Sequence, residues 1–119
     1  MIIRRKFILP LYNIPYEIFV VDTLEEARRI YPEFSGNAAA TAICNDDYSN
    51  TRIIFLYNEA TDGIVAHECV HLAGYICRKI GIKVDPKNDE PFAYIVQHAD
   101  ESAIKTIKAH KPKEKENKD

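Results

Sequence analysis

Residues 59–80 carry Val65, Cys69, Leu72, Ala73, Ile76, Cys77 and Ile80 at a spacing that gathers them on one side of an α-helix, at about 100° per residue. A helix divided in this way must lay its apolar side on another layer. The sequence offers that layer upstream. "RKFILPL" near the start, interrupted by Pro10, "YEIFVVD" at 16–22 and "RIIFLYN" at 52–58 are rich in Ile, Val, Phe and Tyr and read as strands, with "AATAIC" at 39–44 as a weaker fourth. Thr23 caps a short helix in "TLEEARRIYPEF" that brings Leu24, Ala27 and Ile30 to one side and stops at Pro32. "NDDYSN" reads as the turn of a hairpin joining the last two strands; its acids lack the spacing of a calcium loop. A second long helix is expected at 90–108, after a connection in which Gly81 ends the first helix and Asn88, Asp89 and Pro91 open the next.

Strands followed by helices predict an α+β fold, with a small, mostly antiparallel sheet packed on two long helices. With 119 residues the chain has room for one domain, expected at 1–109, and the tail "HKPKEKENKD" at 110–119 carries charges of both signs and no apolar side chain, the pattern of a disordered segment. Sixteen basic against eighteen acidic residues give a net charge of −2, which does not favour nucleic acid as a partner. The N-terminal apolar run is too short for a membrane span and a poor signal peptide. Three cysteines, Cys44, Cys69 and Cys77, form no Cys-x-x-Cys pair, and an odd number suits a reducing compartment, so a cytoplasmic location is expected. All three read as packing residues.

The opposite side of the 59–80 helix is chemical. His67 and His71, four residues apart, stack one above the other, close enough to grip one ion, and Glu68 lies a quarter-turn away. The sequence His-Glu-x-x-His pairs two neutral imidazole ligands with a carboxylate that can serve as general base. Gly74 and Arg78 continue this face, and the glycine leaves room for another chain segment. A catalytic zinc site uses three protein ligands and an open fourth position, so a further donor is needed. Asp85, Asp89, Glu90, His98 and Asp100 are the downstream candidates. In the second helix Phe92, Ile95, Val96, Ala99, Ala103 and Ile107 form the expected buried stripe, while Glu90 lies away from it, in line with Tyr94, Gln97 and Glu101.

"HECVH", an eighteen-residue gap and "EPFAYIV" together resemble the gluzincin type of zinc metallopeptidase, over about residues 52–108. The short length is similar to minimal zincins of phage and mobile elements and to compact ImmA/IrrE-like peptidases. The resemblance implies a minimal zincin-like fold, with an active-site helix and a second, ligand-bearing helix. It implies Zn2+ held by His67, His71 and Glu90, with Glu68 as general base. For the oxyanion it implies a Tyr or His donor: Tyr94 first, with Tyr75, Arg78 and His98 as alternatives. Pro91 after Glu90 predicts that Glu90 stands at the cap of its helix, which leaves Asp89, Asp85 or His98 open as the ligand. The implied function is hydrolysis of peptide bonds in a cytoplasmic substrate, in the host cytoplasm if the chain is phage-encoded. The alternative is a non-catalytic zincin-like binding or regulatory module that retains the metal. Zincins bind substrate as a strand added along the sheet edge; residues 52–58 are expected either to be that edge or to be an inner strand.

Overall fold

A computed structural model describes residues 1–110; the charged tail expected from 110 onward lies, after its first residue, outside the described residues. The order of elements is β1 (Ile2–Leu9), β2 (Ile14–Val21), α1 (Leu24–Ile30), β3 (Ala40–Ile43), β4 (Arg52–Leu56), α2 (Asp62–Ile80) and α3 (Glu90–Ala109), with one 3-10 turn at Tyr57–Glu59. The α+β class and the long helices follow the sequence reading.

One four-stranded sheet, ordered β1-β2-β4-β3, forms the middle layer. β1 pairs antiparallel with β2, β4 pairs antiparallel with β3, and β2 runs parallel to β4. The sheet is therefore mixed. The parallel pair arises because the chain leaves β2, passes through α1 and turns back along the hairpin β3–β4, which delivers β4 beside β2 in the same direction. β4 is consequently an inner strand, bonded on both sides, and the expectation that it would offer a free edge to a substrate does not hold. The free edge on that side belongs to β3.

Alternation along the strands sends side chains to two cores. Tyr16, Ile18 and Val20 with Ile53 and Phe55 face α2 and α3, whereas Phe19 and Val21 with Ile54 and Leu56 face Ala27 of α1 and Phe34. A strand covered on both faces reads as a continuous apolar run, and β2 does so from Ile18 to Val21. The exception is Glu17, buried beside Thr51 and held by Arg4 Nε at 2.6 Å.

Local signals fix the helix ends. Thr23 accepts from the Glu26 N–H and Thr61 from the Ile64 N–H, so each threonine satisfies a donor that its helix leaves free. Gly81 closes α2 at φ 78°, a left-handed conformation in which glycine meets no steric penalty. Asp89 occupies the cap of α3, so Glu90 and Pro91 are its first two residues. Glu90 thus lies one residue inside the position that its proline predicted. Among the described residues no helix is long and apolar enough to cross a membrane.

Candidate functional site

α2 lies on the sheet through Val65, Cys69, Leu72, Ala73, Ile76 and Cys77, all buried. The other side of the helix emerges beside the β3 edge, and His67 and His71 are both exposed on it. Their Nε2 atoms stand 3.3 Å apart with the rings at 74°. Two nitrogens bound at about 2.0–2.1 Å to one tetrahedral ion are separated by about 3.3–3.4 Å. The pair therefore has the bite of a zinc chelate. Among the described residues no third His, Cys, Asp or Glu joins it in a group that could hold a metal. Glu90 is exposed in the first turn of α3, outside any such group. The donor set in place is two imidazoles.

Glu68 is half-buried between α2 and the sheet edge, where Oε1 accepts the Ala42 backbone N–H at 2.9 Å. Two turns further along α2, the Tyr75 hydroxyl donates to the Ala42 carbonyl at 3.4 Å. In an antiparallel pair, residues alternate between bonding the partner strand and presenting both backbone groups outward. Ala42 presents outward, and α2 brackets its N–H and C=O with one carboxylate and one hydroxyl. Burial pushes the Tyr75 hydroxyl above the usual phenol range, with Cys44 and Glu68 adding to the shift.

Tyr75 is thus the tyrosine beside the histidine face. Tyr94, the first sequence choice, is half-buried against Tyr12, with ring centroids 6.5 Å apart. His98 is engaged elsewhere: its Nδ1 lies 2.7 Å from the Tyr16 hydroxyl, which also donates to Ser102 Oγ at 2.8 Å. The α3 stripe is rotated accordingly. Ser102 and Thr106 are buried with Ile95, Ala99 and Ala103, whereas Phe92, Val96 and Ile107 are half-buried. Ser102 satisfies Tyr16, and Thr106 donates back to the Ser102 carbonyl at 2.9 Å, so polar side chains enter the core without an unpaired hydroxyl.

Beside His71, the helix, the connection after Gly81 and the first turn of α3 enclose an open cleft of about 630 Å³, with His71, Gly74, Tyr75, Arg78 and Phe92 in its wall. Space around Gly74 belongs to this cleft. A Cβ built there meets nothing within 4 Å, so the glycine admits no chain segment of its own fold.

Cys69 and Cys77 are buried as expected; burial pushes the Cys69 thiol up to about 12, with Asp100 and Glu68 adding to it. Cys44 is half-exposed at the end of β3. Comparison with known protein families, curated proteins and solved structures gives no match to this chain.

Proposed function

We propose that the chain is a small zinc-dependent peptidase whose centre is the histidine pair of α2. The observation that carries this reading is the 3.3 Å separation of His67 Nε2 and His71 Nε2 on an exposed face, with Glu68 beside them at a sheet edge. Glu90 is the third ligand in this proposal. Its helix begins at the cleft that His71 also lines, since Phe92 lies in the same wall. Zinc bound there would supply Lewis acidity, activating water and polarising a peptide carbonyl.

The chain's own residues account for the rest. An extended peptide laid antiparallel on β3 pairs with the outward groups of Ala42, the one residue whose N–H and C=O are held by Glu68 and Tyr75. Pairing with Ala42 takes over the N–H that Glu68 accepts. The freed Glu68 carboxylate takes a proton from the attacking water and delivers it to the leaving amine. Tyr75, released from the Ala42 carbonyl, can donate its hydroxyl to the developing oxyanion. Tyr94 has the same role in the reading from resemblance, and separate Phe substitutions at 75 and 94 distinguish them.

A second reading, a binding module that keeps metal without turnover, is favoured by the engagement of the Glu68 carboxylate with the Ala42 N–H at 2.9 Å, which holds it on the sheet edge. One comparison separates the two. Zinc-loaded wild type and Glu68→Gln are incubated with a denatured protein pool, and new N-termini are counted. The peptidase reading predicts equal zinc in both and a loss of about 10²–10⁴-fold in cleavage for Glu68→Gln. Equal cleavage by both, or none by wild type carrying zinc, contradicts it.

A further inference from the structure

The cleft beside His71 is apolar in its walls and basic at its rim. Val70 and Val84 are 46% and 44% exposed, among the few large apolar side chains of the described residues left open to water, and both face this cleft with Phe92. Exposed apolar side chains that converge on one concavity mark a place where a ligand is covered. Gly74 adds to the room. Glycine weakens a helix interior relative to alanine, and here no neighbour occupies the space that its missing side chain leaves.

The rim is charged with one sign. Arg78 and Lys83 line the cleft, and among the described residues no Asp or Glu lines it with them and neither cation takes part in a salt bridge. Asp85, the nearest acid in the connection, accepts from the Lys87 N–H within its own turn. Arg78 is held in place: Nη1 donates to the Tyr48 hydroxyl at 2.9 Å, and the guanidinium sits 5.6 Å from that ring. Tyr48 reaches it from the β3–β4 turn at φ 63°, a left-handed conformation that is costly for a bulky residue. A guanidinium has five N–H donors, so one bond to Tyr48 orients the fork and leaves its other face for an anion.

We infer that this cleft is a specificity pocket for a carboxylate carried on an apolar stem, namely a glutamate side chain of the bound peptide. Arg78 and Lys83 pair with the carboxylate, and Val70, Val84 and Phe92 pack the methylenes. The inference rests on the proposed peptide-binding reading and extends it to the substrate's chemistry. A free C-terminal carboxylate shares this chemistry, and the test separates the two sources.

Binding is followed on the full-length chain without added metal, by the amide resonances of Gly74 and Lys83. Three N-acetylated pentapeptides of alanine are titrated: one with a central Glu and an amidated end, its Gln counterpart, and an all-alanine peptide with a free C-terminus. The Glu peptide should bind, with the Gln peptide about tenfold weaker, the loss of one charge-assisted contact. Arg78→Gln with Lys83→Gln should bring the two to equal affinity. Gly74→Leu should abolish binding with an unchanged circular dichroism spectrum, because its Cβ meets nothing within 4 Å and the rest of the side chain takes up cleft space. Equal binding of the Glu and Gln peptides, a preference that survives the double substitution, or no shift with any peptide at millimolar concentration overturns the inference. Binding of the free C-terminus alone overturns the side-chain assignment and gives the cleft to a chain end. None of these readouts needs turnover, so a failed peptidase reading leaves a distinct signature: binding with no cleavage.

Discussion

The two faces of α2 obey different rules. On the sheet side, Val65, Cys69, Leu72, Ala73, Ile76 and Cys77 are at most 3% exposed and join one core with β2, β4 and α3. On the other side stand His67, His71, Gly74 and Arg78, exposed or half-buried; none of the four belongs to the hydrophobic core, and the glycine is a poor helix former. The first face holds the domain together and leaves the second free to carry residues that stability alone would not select. Changes on the two faces should therefore have separable effects.

Leu72→Ala should cost the most stability, about 2–5 kcal/mol in urea denaturation, because Leu72 is fully buried in the core that α2 shares with the sheet and α3. A cost below the lower bound would mean that α2 packs loosely and that its faces are less distinct than described. Alkaline pH should act next, and on the core that this face joins. Cys69 and Tyr16 are both held neutral by burial, the thiol pushed up to about 12 and the phenol well above its ordinary value of 10.0. Each unfolded group loses its proton first, so stability is fully present below pH 9.0 for the thiol and declines as pH rises from there towards about 12. Urea midpoints between pH 8 and 11 should fall, and less steeply in Cys69→Ala. A flat profile would contradict the burial of both groups.

The smaller effects belong to the histidine face. Gly74→Ala should stabilise the domain by about 0.5–1 kcal/mol, the reverse in sign of Leu72→Ala, since the added methyl meets nothing within 4 Å. His67→Ala and His71→Ala should change metal-free stability by no more than about 0.5 kcal/mol, the range of surface substitutions. Thermal melts of the three variants in chelator would check both statements. A large loss on replacing either histidine would show that the pair serves the fold.

Local physics made much of this legible before any coordinates. Thr23 and Gly81 set helix ends by short-range bonds and backbone freedom, and the period of α2 divided its faces correctly, although α2 starts at Asp62 behind Thr61 and not at the expected 59. Sheet order was less accessible. "RIIFLYN" reads the same whether it is an edge or an inner strand; its place follows from a parallel pairing with β2 across the chain, and no residue in the run announces it. The same non-local fact governs the tyrosines. Tyr75 reaches the site only because β3 is the edge beside α2, seven residues along the helix from Glu68. Tyr94 has the spacing suggested by the resemblance, yet its ring packs on Tyr12 from the β1–β2 turn. Glu90 was placed correctly near the start of α3, but its relation to the histidines depends on the connection from 82 to 89, which has no periodic pattern from which to read a path.

Whether α2 carries a metal site is read from the metal content of the purified protein. Wild type, Glu68→Gln, Glu90→Ala and His71→Ala are purified side by side without chelator, supplied with one equivalent of zinc, desalted and measured by elemental analysis. Close to one zinc per chain is expected in wild type and Glu68→Gln, with loss of zinc in Glu90→Ala and His71→Ala. No zinc retained by wild type, or equal retention after His71→Ala, would reduce the 3.3 Å pair to two exposed histidines sharing a helix face.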